Sequence, residues 1–160
     1  MTWLFPWLLF LHVLGAIVAF GPTFTFPIIG AMGGAEPQHA NFATRVTHAL
    51  TDKRVLPVGI TLPITGLAMM AVVAVNPFER THWWLALGIV LYAIAYSYGF
   101  FVQRKKVERV IEITSSPPPP GASGPPLELK ALVRRIQLGG MGMGILILTI
   151  VFLMVVKPQI

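Results

Sequence analysis

Four stretches of this chain contain no Asp, Glu, Lys or Arg and are long enough to cross a lipid bilayer: residues 2–34, 55–75, 83–102 and 136–156. The hydrocarbon core is about 30 Å thick and takes roughly 20 apolar helical residues to span. In lipid the backbone has no water to bond to, so each span must satisfy its own N–H and C=O groups as a helix. A β-barrel would alternate apolar and polar residues over strands of about 10 residues, and no such alternation is present. Composition agrees: 11% of the residues are charged, against about 25% in a soluble domain. The expected fold is all-α, a polytopic membrane protein of one domain built as a four-transmembrane-helix bundle. Its primary partner is the lipid bilayer.

The net charge of +6 is topological rather than a nucleic-acid signature, so no nucleic acid is expected as a partner. Ten of the 12 basic residues fall in two connections. Arg45, Lys53 and Arg54 lie in the first; Arg104, Lys105, Lys106, Arg109, Lys130, Arg134 and Arg135 lie in the third. The second connection holds Arg80 and the tail Lys157. The positive-inside rule places the first and third connections in the cytoplasm, with both termini extracytoplasmic, in a bacterial cytoplasmic (inner) membrane. The basic faces then meet anionic lipid headgroups. A signal peptide would open on a basic segment; no Lys or Arg precedes Arg45, and the first apolar run reads as a retained span.

That first span is long. As a helix its 33 residues would cover about 50 Å, and Pro22 and Pro27 deprive the Val18 and Thr23 carbonyls of their usual donors. It is either a kinked helix that runs past the lipid or a broken helix lining a cavity. In the second span, Thr61 and Thr65 accompany Pro57 and Pro63, and threonine hydroxyls can satisfy backbone groups that proline frees. Trp3, Trp7, Trp83 and Trp84 form an interfacial belt at the outer boundary. Phe42, Val46, Ala49 and Leu50 predict a short amphipathic helix lying against the membrane. The Pro-rich segment 115–126 reads as a flexible cytoplasmic linker.

Small residues allow helices to approach closely in lipid, where no hydrophobic force gathers them. Gly140 and Gly144 form a GxxxG in the fourth span, and Gly15 and Ala19 a similar surface in the first. They are expected at helix contacts, within the bundle or in a homo-oligomer or larger membrane complex. Tyr92 and Tyr96, one turn apart, are placed to hydrogen-bond inside the bundle.

The residue that raises the question of chemistry is His12, alone in the apolar run LLFLHVLGAIVAFGP. An intramembrane histidine is a functional candidate by default. Imidazole with thioether suits haem iron or copper(I). His82, Met69, Met70 and Met154 lie toward the same outer side, which makes His12, His82, Met69 and Met154 the candidate cofactor-binding set. The bland alternative is a histidine that bridges two helices, with methionine as filler. The absence of cysteine excludes disulfides and thiolate metal sites. None of the six acidic residues lies in a span, which speaks against a proton-coupled pump.

FLHVLGAIVAFG, VLPVGITLPITGLAM and LMVVKP, in this order and spacing, resemble the domain of unknown function 2269 family of predicted bacterial integral membrane proteins. That resemblance covers nearly the whole chain and implies the four-span plan. The LHVLGA stretch alone is similar to copper-resistance D-type and membrane protoporphyrinogen oxidase proteins, which begin with a histidine-bearing first helix; only His12 transfers. The expected function is a non-enzymatic accessory or small-ligand-binding membrane protein. Two alternatives are carried forward: a b-type haem or copper redox protein using His12, and a small oligomeric transporter or channel.

Overall fold

The computed structural model describes residues 2–116 and 124–158. Among them four helical rods account for the four expected spans: α1 (Phe5–Ala35), α2 (Pro37–Val73), α3 (Arg80–Ser115) and α4 (Leu127–Val156). No strand occurs among the described residues. Of the expected linker 115–126, residues 117–123 lie outside the described residues.

α1 remains one helix through Pro22 and Pro27. Thr23 and Thr25 turn their hydroxyls back onto the Phe20 and Pro22 carbonyls, at 2.6 and 2.7 Å. The chain then reverses with Glu36 alone between α1 and α2. This tight corner depends on Gly33, where a β-carbon would stand 2.9 Å from that of Ala43.

The expected surface helix around Phe42–Leu50 is instead the first part of α2, a rod of 37 residues and so about 55 Å long. One obstacle to a single rod is Pro57, whose ring crowds the Lys53 carbonyl and removes a donor. The helix meets it by widening into a π turn at Thr51–Val55, where Leu56 N–H donates to Thr51 O. α3 carries a matching π turn at Gly99–Gln103. Such turns are rare and concentrate at functional sites. These two face one another.

Three ladders of contacts make the bundle. Along α1 and α2, His12 meets Thr65 and Gly15 meets Leu62. Along α2 and α3, Gly59 meets Tyr92, Leu56 meets Tyr96, Asp52 meets Arg104 and Asn41 meets Thr114. Along α3 and α4, Gly88 receives the Met154 methyl, Gly99 that of Met143, and Gln103 reaches Ile136. All three run antiparallel. α4 closes the ring against α1. The interior is narrow and made of small or branched residues such as Ala19, Leu62, Ala95, Ile147 and Ile150, all buried. The outer faces carry Ile17, Ile64, Val90, Ile145 and Leu148 exposed. A soluble protein would hide these residues; here lipid covers them.

One end of the bundle is basic and the other bears tryptophan. At the tryptophan end α2 stops at Ala74 in the left-handed conformation, φ 52°, and α4 stops at Lys157, φ 49°. The Lys157 ammonium lies 5.8 Å from the Trp84 ring centroid. At the basic end α2, α3 and the start of α4 run on past the charged residues. There Arg109 joins Glu112 of its own helix to Glu128 of α4, at 3.0 and 3.1 Å. The two carboxylates, Glu112 first, raise the Arg109 pKa. The group is exposed, so the pair orients α4 more than it stabilises it.

Candidate functional site

Polar side chains inside the rods gather at two places. The first is His12 on α1. Its Nδ1 lies 2.8 Å from Thr65 Oγ1 on α2, and its Cε1 packs 3.5 Å from where a Gly66 β-carbon would sit. The Thr65 oxygen is also 2.9 Å from Thr61 O and 3.1 Å from Leu62 O. Carbonyls only accept; with the single hydroxyl proton directed to one of them, as a helical threonine commonly bonds back, the oxygen is left to accept from His12. In that arrangement Nδ1 carries the hydrogen and Nε2 of the neutral ring keeps a lone pair.

The other members of the expected set are placed as follows. Met69 is one turn beyond Thr65 on the same face of α2. His82 Nδ1 lies 3.3 Å from Glu79 Oε2 and 3.4 Å from Thr81 Oγ1, within its own turn. Met154 seats its methyl in the notch over Gly88. His12 and Met69 therefore share the α1–α2 side, while His82 and Met154 belong to α3 and α4. Among the described residues no group of three His, Asp or Glu side chains is clustered as a metal site. Gly15 and Ala19 are buried in the bundle, and a β-carbon on Gly15 would be 3.3 Å from Leu62. A β-carbon on Gly140 would be 4.0 Å from Gln103, and one on Gly144 would meet nothing within 4 Å. The close approach of α4 falls on Gly139, which lies against Tyr98 and Gln103.

The second gathering lies between α2 and α3 at their π turns; the sequence offers its His48–Asp52 pair, four residues apart, but not their meeting with Arg104 and Glu108. Arg104 Nη2 donates to Asp52 Oδ2 at 3.1 Å. Its Nε stands 3.0 Å from Asp52 Oδ1 and 3.3 Å from Glu108 Oε1. The Nε and Oδ1 atoms are buried without a well-aimed hydrogen bond, so that short contact is one of charge alone. His48 Nε2 lies 3.3 Å from Glu108 and 3.8 Å from Asp52, and becomes an ion-pair partner when its ring takes a proton. Two spacings carried the signal: His48 with Asp52 and Arg104 with Glu108 are each four apart, on one helical face.

Just above, proline chemistry explains one of two tyrosines that reach from α3 to carbonyls of α2. Pro63 has no N–H, so the Gly59 carbonyl lacks its helical donor; the Tyr92 hydroxyl donates to it at 2.5 Å. Tyr96 donates at 3.2 Å to Leu56 O, a carbonyl that also accepts from the Ile60 N–H of its own helix. Tyr92, on a neighbouring helix, thus repairs a proline break, as membrane interiors require.

Four apolar rods, lipid-facing outside and tied together by a few internal hydrogen bonds, define an integral membrane helical bundle. The chain belongs to the family of predicted integral membrane proteins DUF2269, whose family model matches residues 6–158. No curated protein and no solved structure matches it significantly.

Proposed function

We propose that this is a small-ligand-binding protein of the bacterial cytoplasmic membrane, with its basic end in the cytosol and its ligand held at His12. The observation that carries the reading is the Thr65 hydrogen bond, which supports an Nδ1–H tautomer and an Nε2 free to accept. Histidine ligands are commonly oriented in this way, by a hydrogen bond from the second ring nitrogen. A haem iron or copper(I) ion fits that nitrogen, with the Met69 thioether, on the same side of α2, as the residue to complete the site. Such a group would supply one-electron redox chemistry. The protein's part is to fix the ring through Thr65 and to keep water out with the surrounding apolar residues. His82 and Met154, engaged elsewhere in the fold, rank behind Met69 as second ligands.

The test is an absorption spectrum with metal analysis on protein purified from its native membrane, together with mass spectrometry of extracted small molecules. Wild type is expected to carry one such component in near-stoichiometric amount, and His12→Ala to lose it while keeping its helical content. Thr65→Val should weaken retention by about 10-fold or more, the usual cost of removing an outer-shell partner. Identical component sets in wild type and His12→Ala would end this reading.

A further inference from the structure

We propose that the crevice between α2 and α3 at the level of their π turns holds one anionic phospholipid, its phosphate at the Arg104 guanidinium. The crevice has a volume of about 270 Å³ and is lined by Asp52, Leu56, Pro57, Ile60, Tyr96, Phe100 and Arg104. It is too small for a whole lipid and sits at the lower end of enclosed ligand pockets. A phospholipid does not need enclosure: only its glycerophosphate and first methylenes must be held, and the rest of each tail stays in the bilayer. Ile60 is 53% and Phe100 38% exposed, so the crevice opens on the flank that lipid covers.

Its polarity runs the way a phospholipid's does. Toward the tryptophan end the walls are Pro57, Ile60 and Phe100; toward the basic end they are Asp52 and Arg104. The guanidinium is set in place by Asp52 and lies 5.8 Å from the Phe100 ring centroid. Its hydrogen bond to Asp52 uses one N–H of the five an arginine carries, and Nη1 makes none among the described residues. Asp52 and Glu108 together exceed the charge of Arg104 by one. The attraction for a further negative charge comes from Lys53, Arg54 and Lys105 on the same turns. Lys53 and Arg54 are exposed, and all three make no ion pair among the described residues. Lys53 and Lys105 each follow directly on a residue that lines the crevice, Asp52 and Arg104. Positive charge is therefore in excess at this level, and basic pockets between spans at a cytoplasmic face are where anionic headgroups bind. This site is separate from His12 and does not depend on it.

Native mass spectrometry of the full chain in mild detergent tests it, with phosphatidylglycerol and phosphatidylcholine offered in equal amounts. Wild type should retain one phosphatidylglycerol about fivefold over phosphatidylcholine, the effect of roughly one basic side chain at a membrane surface. Ile60→Trp fills the crevice without touching a charge, and the pair Lys53→Gln with Lys105→Gln removes the excess charge. Each should abolish that preference. Leu148→Trp, on the exposed face of α4, should leave it intact. Equal retention of the two lipids by wild type, a preference that survives Ile60→Trp, or one equally lost in Leu148→Trp would overturn the proposal.

Discussion

Gly139→Leu is expected to destabilise the bundle by about 3 kcal/mol, from overpacking of 1–3 kcal/mol together with hydrogen bonds of about 1 kcal/mol each. A β-carbon at 139 would collide with the Tyr98 hydroxyl and stand 2.7 Å from Gln103 Oε1. Both are ends of side chains, which can ordinarily swing aside. Neither can do so freely here. Tyr98 accepts from Lys106 Nζ at 3.2 Å, and Gln103 Nε2 donates to Ile136 O at 2.8 Å. Leucine's better helix propensity offsets only about 0.8 kcal/mol. Gly144→Leu gains the same propensity and meets open space, so it should be neutral or slightly stabilising for a monomer. Thermal unfolding in detergent, followed by the helical signal, reads the difference. Light scattering on the same samples adds a second reading, because a dimer packed across Gly144 would dissociate in that variant.

Arg104→Met is expected to cost about 2 kcal/mol. Removing one partner of a fully buried ion pair costs 3–5 kcal/mol, but these side chains are 34% and 26% exposed, and solvent screens part of the effect. The variant leaves Asp52 and Glu108 facing each other's charge with His48 as the remaining counter-group. The cost should therefore shrink when Asp52 is changed as well. Asp52→Asn combined with Arg104→Met should recover at least half of the loss, whereas independent effects would simply add. Added salt should narrow the gap between wild type and Arg104→Met, since these charges are partly exposed. Strict additivity, or a gap insensitive to salt, would mean the pair does not hold α2 to α3.

The spans were legible because lipid imposes one simple requirement, an uncharged run of sufficient length, and all four runs meet it. The same rule explains why their ends were not. Once outside lipid a helix continues until something stops it, and nothing between Pro37 and Val73 does. A reader of the sequence sees Pro57 and expects a break; the π turn absorbs it, and a π turn has no residue signature. His12 was visible as the only titratable group in the first span, yet its tautomer depends on Thr65 of another helix. Tyr92 was legible as an internal donor but its acceptor was not, because that needs the register that sets it opposite the carbonyl freed by Pro63. The glycines show the limit most clearly. GxxxG spacing pointed to Gly140 and Gly144, while contact fell one residue earlier, at Gly139, because helix rotation is set by the partner helices and not by spacing. The Asp52–Arg104 pair joins residues 52 positions apart, which local patterns do not reveal.

Labelling of single thiols tests the membrane-spanning account most directly, since the chain has no cysteine of its own. Phe78 lies 87% exposed in the connection between α2 and α3, and Ser116 is exposed at the end of α3. With a membrane-impermeant maleimide on right-side-out spheroplasts, Phe78→Cys should label at once and Ser116→Cys only after the membrane is opened. Labelling of both from outside, or in the reverse order, would contradict four lipid-crossing helices with their basic ends in the cytosol.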